Sequence, residues 1–373
     1  MHALGVIVMV LTAARSDGVS GAGASAAASF AVVRNKILLP VTINGTGPYP
    51  FILDTVAERT IVDRALATTL GHVPRAMGPD SAASLLFVPE SLSIADRLVP
   101  VEMMLVADLT PLAGQLGRPV SGILCGRTLD GPITLDFAAG RVSFDGGIPS
   151  PPAPGGVQIQ LDDVSRPTVQ VLINGVHIRR VVVDTMFSGV FALPESLAEE
   201  TGVLAQNTVR LTVVGSGDRR SGATHVRLDR LDVGRAKIRQ PLCAILAPGS
   251  PPLLGVGFLK HFRVTLDLPG AQLVLTRGDP APLVDAPVVG CGLSLACQED
   301  GGWIVDVAAG SPADRAGVLP GDRLSKVNGV AMGDEPYDTV LEELGGDEGD
   351  TIDVTIMRDG RTLSFLLPFE RLL

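Results

Sequence analysis

Short apolar runs closed by a glycine or polar turn recur along most of the chain, and runs of that length predict β-strands rather than helices. Val41-Thr42-Ile43 leads into Asn44-Gly45, and Phe51-Ile52-Leu53 then ends on Asp54-Thr55. The same order returns 130 residues later: Val171-Leu172-Ile173, Asn174-Gly175, then Val181-Val182-Val183 ending on Asp184-Thr185. Asn-Gly between two apolar strands predicts a tight hairpin, because both residues accept positive φ. Each Asp-Thr pair is followed by a strand end and a short helix stopped by glycine, over 61–71 and 191–202. Next come Gly122-Ile123-Leu124-Cys125-Gly126 and Leu253-Leu254-Gly255-Val256-Gly257, then Thr134-Leu135-Asp136-Phe137 and Thr265-Leu266-Asp267-Leu268. Each copy closes in a strand, over 141–144 and 272–275. Agreement at several places in one order implies two similar β lobes that arose by duplication.

The pattern changes after residue 287. Ser311-Pro312 reads as a helix N-cap with proline in the first turn. Pro320-Gly321-Asp322 reads as a tight turn and Asn328-Gly329 as a hairpin turn. Residues 337–344 read as an amphipathic helix, and 351–357 and 362–367 as closing strands. Two Pro/Gly-rich stretches, 146–156 and 278–287, read as linkers. The expected organisation is a leader or disordered tail over 1–29, a first lobe over 30–145, a second over 157–277 and a terminal domain over 288–373.

Composition supports an all-β reading and narrows the partners. Hydrophobic residues make up 46% of the 373-residue chain but aromatics only 4%, so the cores must rest on Val, Leu, Ile and Ala. The 43 glycines and 28 prolines suit many turns. A net charge of −10 argues against nucleic acid or an anionic membrane as the main partner. The apolar run 3–14 is too short to span a bilayer comfortably and fits the core of a secretory signal. Ala22-Gly23-Ala24 or Ala24-Ser25-Ala26 would be the cleavage site, although no Lys or Arg precedes the run. The expectation is export to a periplasm or the medium. Cys125, Cys243, Cys291 and Cys297 form no CxxC pair and read as buried free thiols. The five histidines show no ligand spacing and no GxSxG elbow is present, so no metal, no cofactor and no serine nucleophile are expected.

The chemistry lies in the paired acids. Asp54 and Asp184 each follow an apolar strand, and a charge placed there is costly unless paired or functional. Two copies of one lobe about a twofold axis are the simplest way to bring two carboxylates face to face. Like charges that close cannot both ionise, so the pair shares a proton, activates water and polarises a peptide carbonyl. Each lobe resembles the retropepsin-like aspartic proteases in its hairpin, its strand ending in Asp-Thr, its apolar-Gly strand and its helix. The resemblance covers about residues 30 to 277. It implies catalytic roles for Asp54 and Asp184, and bracing of the two loops by hydrogen bonds from Thr55 and Thr185. Ala57 and Thr60 match the next signature positions in the first lobe only. The segment after Gly290 resembles a bacterial-type PDZ domain in Gly302-Trp303-Ile304-Val305, Gly310-Ser311-Pro312-Ala313 and Pro320-Gly321-Asp322-Arg323-Leu324. That resemblance implies a groove for protein or peptide C-termini formed by Gly292, Leu293, Ser294 and Leu295, with Thr339 and Val340 opposite.

The fold class so implied is mainly β: two retropepsin-like barrel lobes related by a pseudo-twofold axis, plus an α+β PDZ domain. Mobile hairpins should cover the cleft, with Gly215-Ser216-Gly217 near the tip of one and 77–91 forming the other. The departure from the family pattern is the third signature position. Val56 and Met186 replace glycine, and Phe187 replaces alanine. A strained turn at Val56 would cost about 1–2 kcal/mol or displace the carboxylate. Two functions are therefore expected in competition: an aspartic endopeptidase acting on peptide or protein substrates, and an inactive peptide-binding protein that keeps both grooves. A chain carrying both halves of the site needs no second copy, so a monomer is expected.

Overall fold

A computed structural model describes residues 27–71, 85–144, 157–161, 166–205, 208–214, 220–279, 281–297, 302–333, 335 and 337–373. Residues 1–26 of the expected leader or tail, the first linker, most of the expected 77–91 hairpin and Gly215-Ser216-Gly217 lie outside the described residues.

Both Asn-Gly hairpins form. Lys36–Ile43 pairs antiparallel with Thr46–Asp54, and Thr168–Ile173 with Val176–Val183. Asn44 and Asn174 both have φ 50°, and the glycines after them are at 72° and 87°, as a tight hairpin of this hand requires. The asparagine side chains do further work. Asn44 Oδ1 accepts from the Glu90 and Ser91 amides at 2.7 and 3.1 Å. Asn174 Oδ1 accepts from those of Asp229 and Arg230 at 3.0 and 3.1 Å. Each asparagine thus fastens the hairpin that follows to its lobe, Leu92–Ile94 with Arg97–Leu98 in one and Arg230–Val233 with Ala236–Arg239 in the other. Alternate residues point inward: Ile37, Leu39, Val41 and Ile43 are fully buried in the first lobe, and Val169, Val171 and Ile173 in the second. Removing each such side chain from water contributes roughly 1.5–3 kcal/mol.

The lobes share one core and one sheet. The buried cluster runs from Ile37 and Phe51 through to Phe191 and Phe258 without a break. A six-stranded sheet orders its strands Ala27–Ser29, Arg141–Ser143, Ile133–Asp136, Arg263–Asp267, Gln272–Thr276 and Val157–Gln160. The first three come from the first lobe and the last three from the second. At the centre Thr134 pairs with Thr265, their hydroxyls 2.9 Å apart. The two aspartates that follow are structural: Asp136 Oδ1 accepts from Ala139 N at 2.9 Å and Asp267 Oδ1 from Gly270 N at 2.8 Å. Strand pairing begins at Ala27, three residues ahead of the expected start of the lobe.

The second Pro/Gly-rich stretch is not a free linker along its length. Leu283–Val284 adds a parallel strand beside Ala236–Arg239, and Leu283 is buried. The terminal domain has its own core, including Leu295, Trp303, Val305, Leu324, Val354 and Phe369. Its strands run in the order Leu293–Cys297, Trp303–Val307, Arg323–Val327, Thr351–Arg358 and Arg361–Pro368. Ser311 caps the helix Pro312–Ala316 as expected, its Oγ accepting from Asp314 N. This domain lies against both lobes: its helix Tyr337–Glu343 is near the first lobe's helix Thr110–Leu116, and its strand Leu293–Cys297 is near Thr208–Val214 of the second lobe. Arg227 fastens the junction. Its guanidinium donates to the carbonyls of Gln240, Ala286 and Leu373 at 2.7, 3.0 and 3.3 Å, and pairs with Asp285 at 3.4 Å.

Candidate active site

Each acidic loop is set by a pair of strands. Thr46–Asp54 runs parallel to Gly122–Cys125, with Asp54 opposite Cys125. Val176–Val183 runs parallel to Leu253–Leu254, and the Asp184 amide donates to the Leu254 carbonyl at 3.0 Å. The apolar-Gly segments are the floors of these loops. A Cβ on Gly126 would sit 3.0 Å from Thr55 Cα and 3.3 Å from the Asp54 carbonyl oxygen. One on Gly257 would come within 2.7 Å of the Gly189 backbone. Close approach of backbone thus requires glycine at 257, and at 126 it leaves room for a Cβ only if the neighbouring atoms give way.

The two loops meet through their threonines, all but buried at 1% exposure each. Thr55 N donates to Thr185 Oγ1 at 3.0 Å and Thr185 N to Thr55 Oγ1 at 3.1 Å. Thr55 Oγ1 donates to the Val183 carbonyl at 2.6 Å, and Thr185 Oγ1 to the Leu53 carbonyl at 2.7 Å. Each hydroxyl thus accepts one bond and donates its single proton in another across the axis, in a place closed to water.

The carboxylates are held alike. Asp54 Oδ1 accepts from the amides of Val56 and Ala57 at 2.8 and 2.9 Å. Asp184 Oδ1 accepts from those of Met186 and Phe187 at 2.7 and 3.2 Å. Burial holds the Asp184 carboxyl above the usual range despite its bond from Met186, and the charge of Asp54 adds to the rise. The two acids therefore feel each other.

The strain expected at the third signature position is absent. Neither Val56 nor Met186 is among the residues at positive φ, so a side chain costs nothing there in backbone geometry. Met186 packs against first-lobe side chains including Leu38, Ile52, Leu116 and Ile123. Thr60, matched in the first lobe only, accepts from Cys125 N at 3.2 Å and lies 3.1 Å from the Thr128 hydroxyl.

Lys36 was not singled out from the sequence. Its ammonium donates to the Met186 carbonyl across the lobes. Burial lowers its pKa, and the charges of Asp184 and Asp54 oppose that shift. The signal available was a lysine heading an otherwise apolar strand, KILLPVTI.

In the terminal domain, Leu293–Cys297 is an edge strand that pairs only with Trp303–Val307 among the described residues. Gly292 precedes it at φ 87° and packs on the Ser311 side chain. Leu293 and Ser294 are half-buried and Leu295 is buried. Of the two helix residues placed opposite, Thr339 is half-buried and Val340 is fully buried in the core, where it has no surface to offer. Cys125, Cys243 and Cys291 are buried free thiols. Among the described residues no group of side chains suits a metal ion, and no helix is long and apolar enough to cross a membrane.

Comparison with known proteins adds the family context. Residues 169–261 match the model of the gag-polyprotein putative aspartyl protease family, and residues 303–358 match a PDZ domain model. Among curated proteins, a probable CtpA-like serine protease of Staphylococcus aureus is 32% identical over 75 residues, which is 20% of this chain and 15% of that protein. A namesake from Staphylococcus haemolyticus is 33% identical over the same length. The match thus spans less than a fifth of these relatives. Among solved structures, a retropepsin-like aspartic protease from Rickettsia conorii is 21% identical, with 33% of this chain and 91% of that one covered and a TM-score of 0.28. The PDZ domain of a carboxy-terminal protease from Vibrio cholerae is 22% identical over 23% of this chain and 96% of that one, with a TM-score of 0.21. With the braced Asp-Thr loops in one part and the edge strand and capped helix in the other, the chain combines a retropepsin-like aspartyl-protease region with a C-terminal PDZ domain.

Proposed function

We propose that this protein is an aspartic endopeptidase in which Asp54 and Asp184 share one proton. The observation that carries the reading is the reciprocal Thr55–Thr185 bonding, which ties the two acidic loops together at the axis between the lobes. Burial of Asp184 favours the proton on that side. The pair would take a proton from water as its oxygen bonds the peptide carbon and donate one to the carbonyl oxygen; it would then take a proton from a hydroxyl of the gem-diol and give one to the amine nitrogen as the C–N bond breaks, which returns it to its one-proton state. The PDZ edge strand would hold an extended protein C-terminus as an added strand, with Gly292 to Leu295 supplying main-chain groups. Both halves of the site lie in one chain, which supports a working monomer.

A second reading, a peptide-binding protein without catalysis, is favoured by Val56 and Met186 standing in place of glycine. The unstrained backbone and the packing of Met186 against the first lobe weaken it. The experiment is digestion of a denatured protein mixture from acidic to neutral pH with wild type, Asp54→Asn and Asp184→Asn. The peptidase reading expects cleavage by wild type alone. Equal cleavage by the variants, or none by a folded wild type, would overturn it.

A further inference from the structure

We propose that Lys36 is a positioning residue of the acidic pair, gripping the second Asp-Thr loop from the opposite lobe and facing both carboxylates with a positive charge. This rests on the reading of Asp54 and Asp184 as the reacting pair. The geometry begins in a tight turn. Arg34 and Asn35 are both at positive φ, 48° and 59°, between the paired residues Val33 and Lys36. That turn projects first-lobe side chains onto residues 186–188 of the second lobe. Asn35 Nδ2 donates to the Ser188 carbonyl at 2.7 Å, and Lys260 Nζ donates to Asn35 Oδ1 at 3.2 Å. The Lys36 ammonium takes the Met186 carbonyl.

Met186 is consequently fixed at every polar atom. Its amide bonds the Asp184 carboxylate, its carbonyl takes the lysine, and its side chain packs on the first lobe. One short path of bonds links the Lys36 ammonium to the Asp184 carboxylate. The charged groups acting on Lys36 are Asp184 and Asp54; Arg34 shares its turn, and Lys260 of the second lobe reaches that turn through Asn35. The position equivalent to Lys36 in the second lobe is held by Arg166.

A cation facing two carboxylates favours their ionised forms. With Lys36 present the first proton leaves the pair at lower pH, so the acid limb of activity lies lower than it would without the charge. Three substitutions separate the charge from the grip. Lys36→Arg keeps both, Lys36→Gln keeps a donor without charge, and Lys36→Met keeps neither. The measurement is the pH profile of kcat/KM on a peptide substrate, run beside a carboxyl-carbon NMR titration of 13C-aspartate-labelled protein assigned with Asp54→Asn and Asp184→Asn. In Lys36→Gln and Lys36→Met the acid limb and the carboxyl midpoints are expected to rise together by about one pH unit, while Lys36→Arg follows wild type. Midpoints unchanged in Lys36→Gln overturn the proposal. Should wild type cleave nothing, the peptidase reading falls and the NMR titration still decides the role of Lys36. Should Lys36→Met fail to fold, Lys36→Gln carries the comparison.

Discussion

Val56 and Met186 show how a residue swap that looks prohibitive in a sequence can be harmless in the fold. Glycine earns its place in a loop when φ must be positive or when no room exists for Cβ. At these two positions neither condition holds, whereas at Gly257 the second does. The loops keep the hydrogen bonds that hold their carboxylates because those use backbone amides, which every residue type but proline supplies. Asp184 carries a cost of its own. Its carboxyl titrates above the ordinary 3.8 because burial and Asp54 disfavour its charge, so the folded state binds the proton more tightly than the unfolded chain does. The contribution to stability is complete below 3.8 and is lost as pH rises through the raised value. Asp184→Asn, still able to accept from Met186 and Phe187, is expected to melt higher than wild type at pH 7 and to lose that advantage near pH 3. Calorimetry across that range checks it, and an advantage independent of pH would contradict the assignment.

The Asp-Thr loop and its partner strand behave as one element, and the threonine is the joint. Thr185→Val preserves shape but leaves the Thr55 amide and the Leu53 carbonyl without their partners. At about 1–3 kcal/mol for each unsatisfied buried group, a loss of about 2–6 kcal/mol is expected in urea unfolding. Much of this element was legible in the sequence. The hairpins and the apolar-Gly strands are local patterns, and the duplication displayed each of them twice, so one copy vouched for the other. The bracing role of Thr55 and Thr185 followed only from family resemblance. Lys36 escaped notice because its meaning depends on a carbonyl 150 residues away, and single lysines at strand starts are ordinarily solvated. The strand at Leu283–Val284 was missed for a related reason. Proline and glycine around it signalled a loop, but burial of Leu283 and the Asp285 contacts with Arg227 and the Leu242 amide dock it to the second lobe.

At the scale of the whole molecule, two joints decide what moves. The six-stranded sheet joins the lobes at one strand pair, Ile133–Asp136 with Arg263–Asp267, and Arg227 fastens the second lobe to the connecting segment and to the last residue of the PDZ domain. Burial lowers the pKa of that guanidinium, and Asp285 opposes the shift, as befits a charge retained in a half-dry joint. Arg227→Ala is expected to leave both cores folded, since each buries its own cluster. Hydrogen exchange at 283–290 and 370–373 should then speed up at least tenfold, because charge-assisted bonds worth about 1.5–3 kcal/mol each are removed. Unchanged protection in those segments would show that the joint holds without it. The duplication has a further consequence. An enzyme assembled from two identical subunits must write every amino-acid change into both sides of its centre at once. Here the halves are separate stretches of one gene, free to diverge, so Lys36 in the first lobe and Arg166 in the second, which hold equivalent positions, can each be altered without the other.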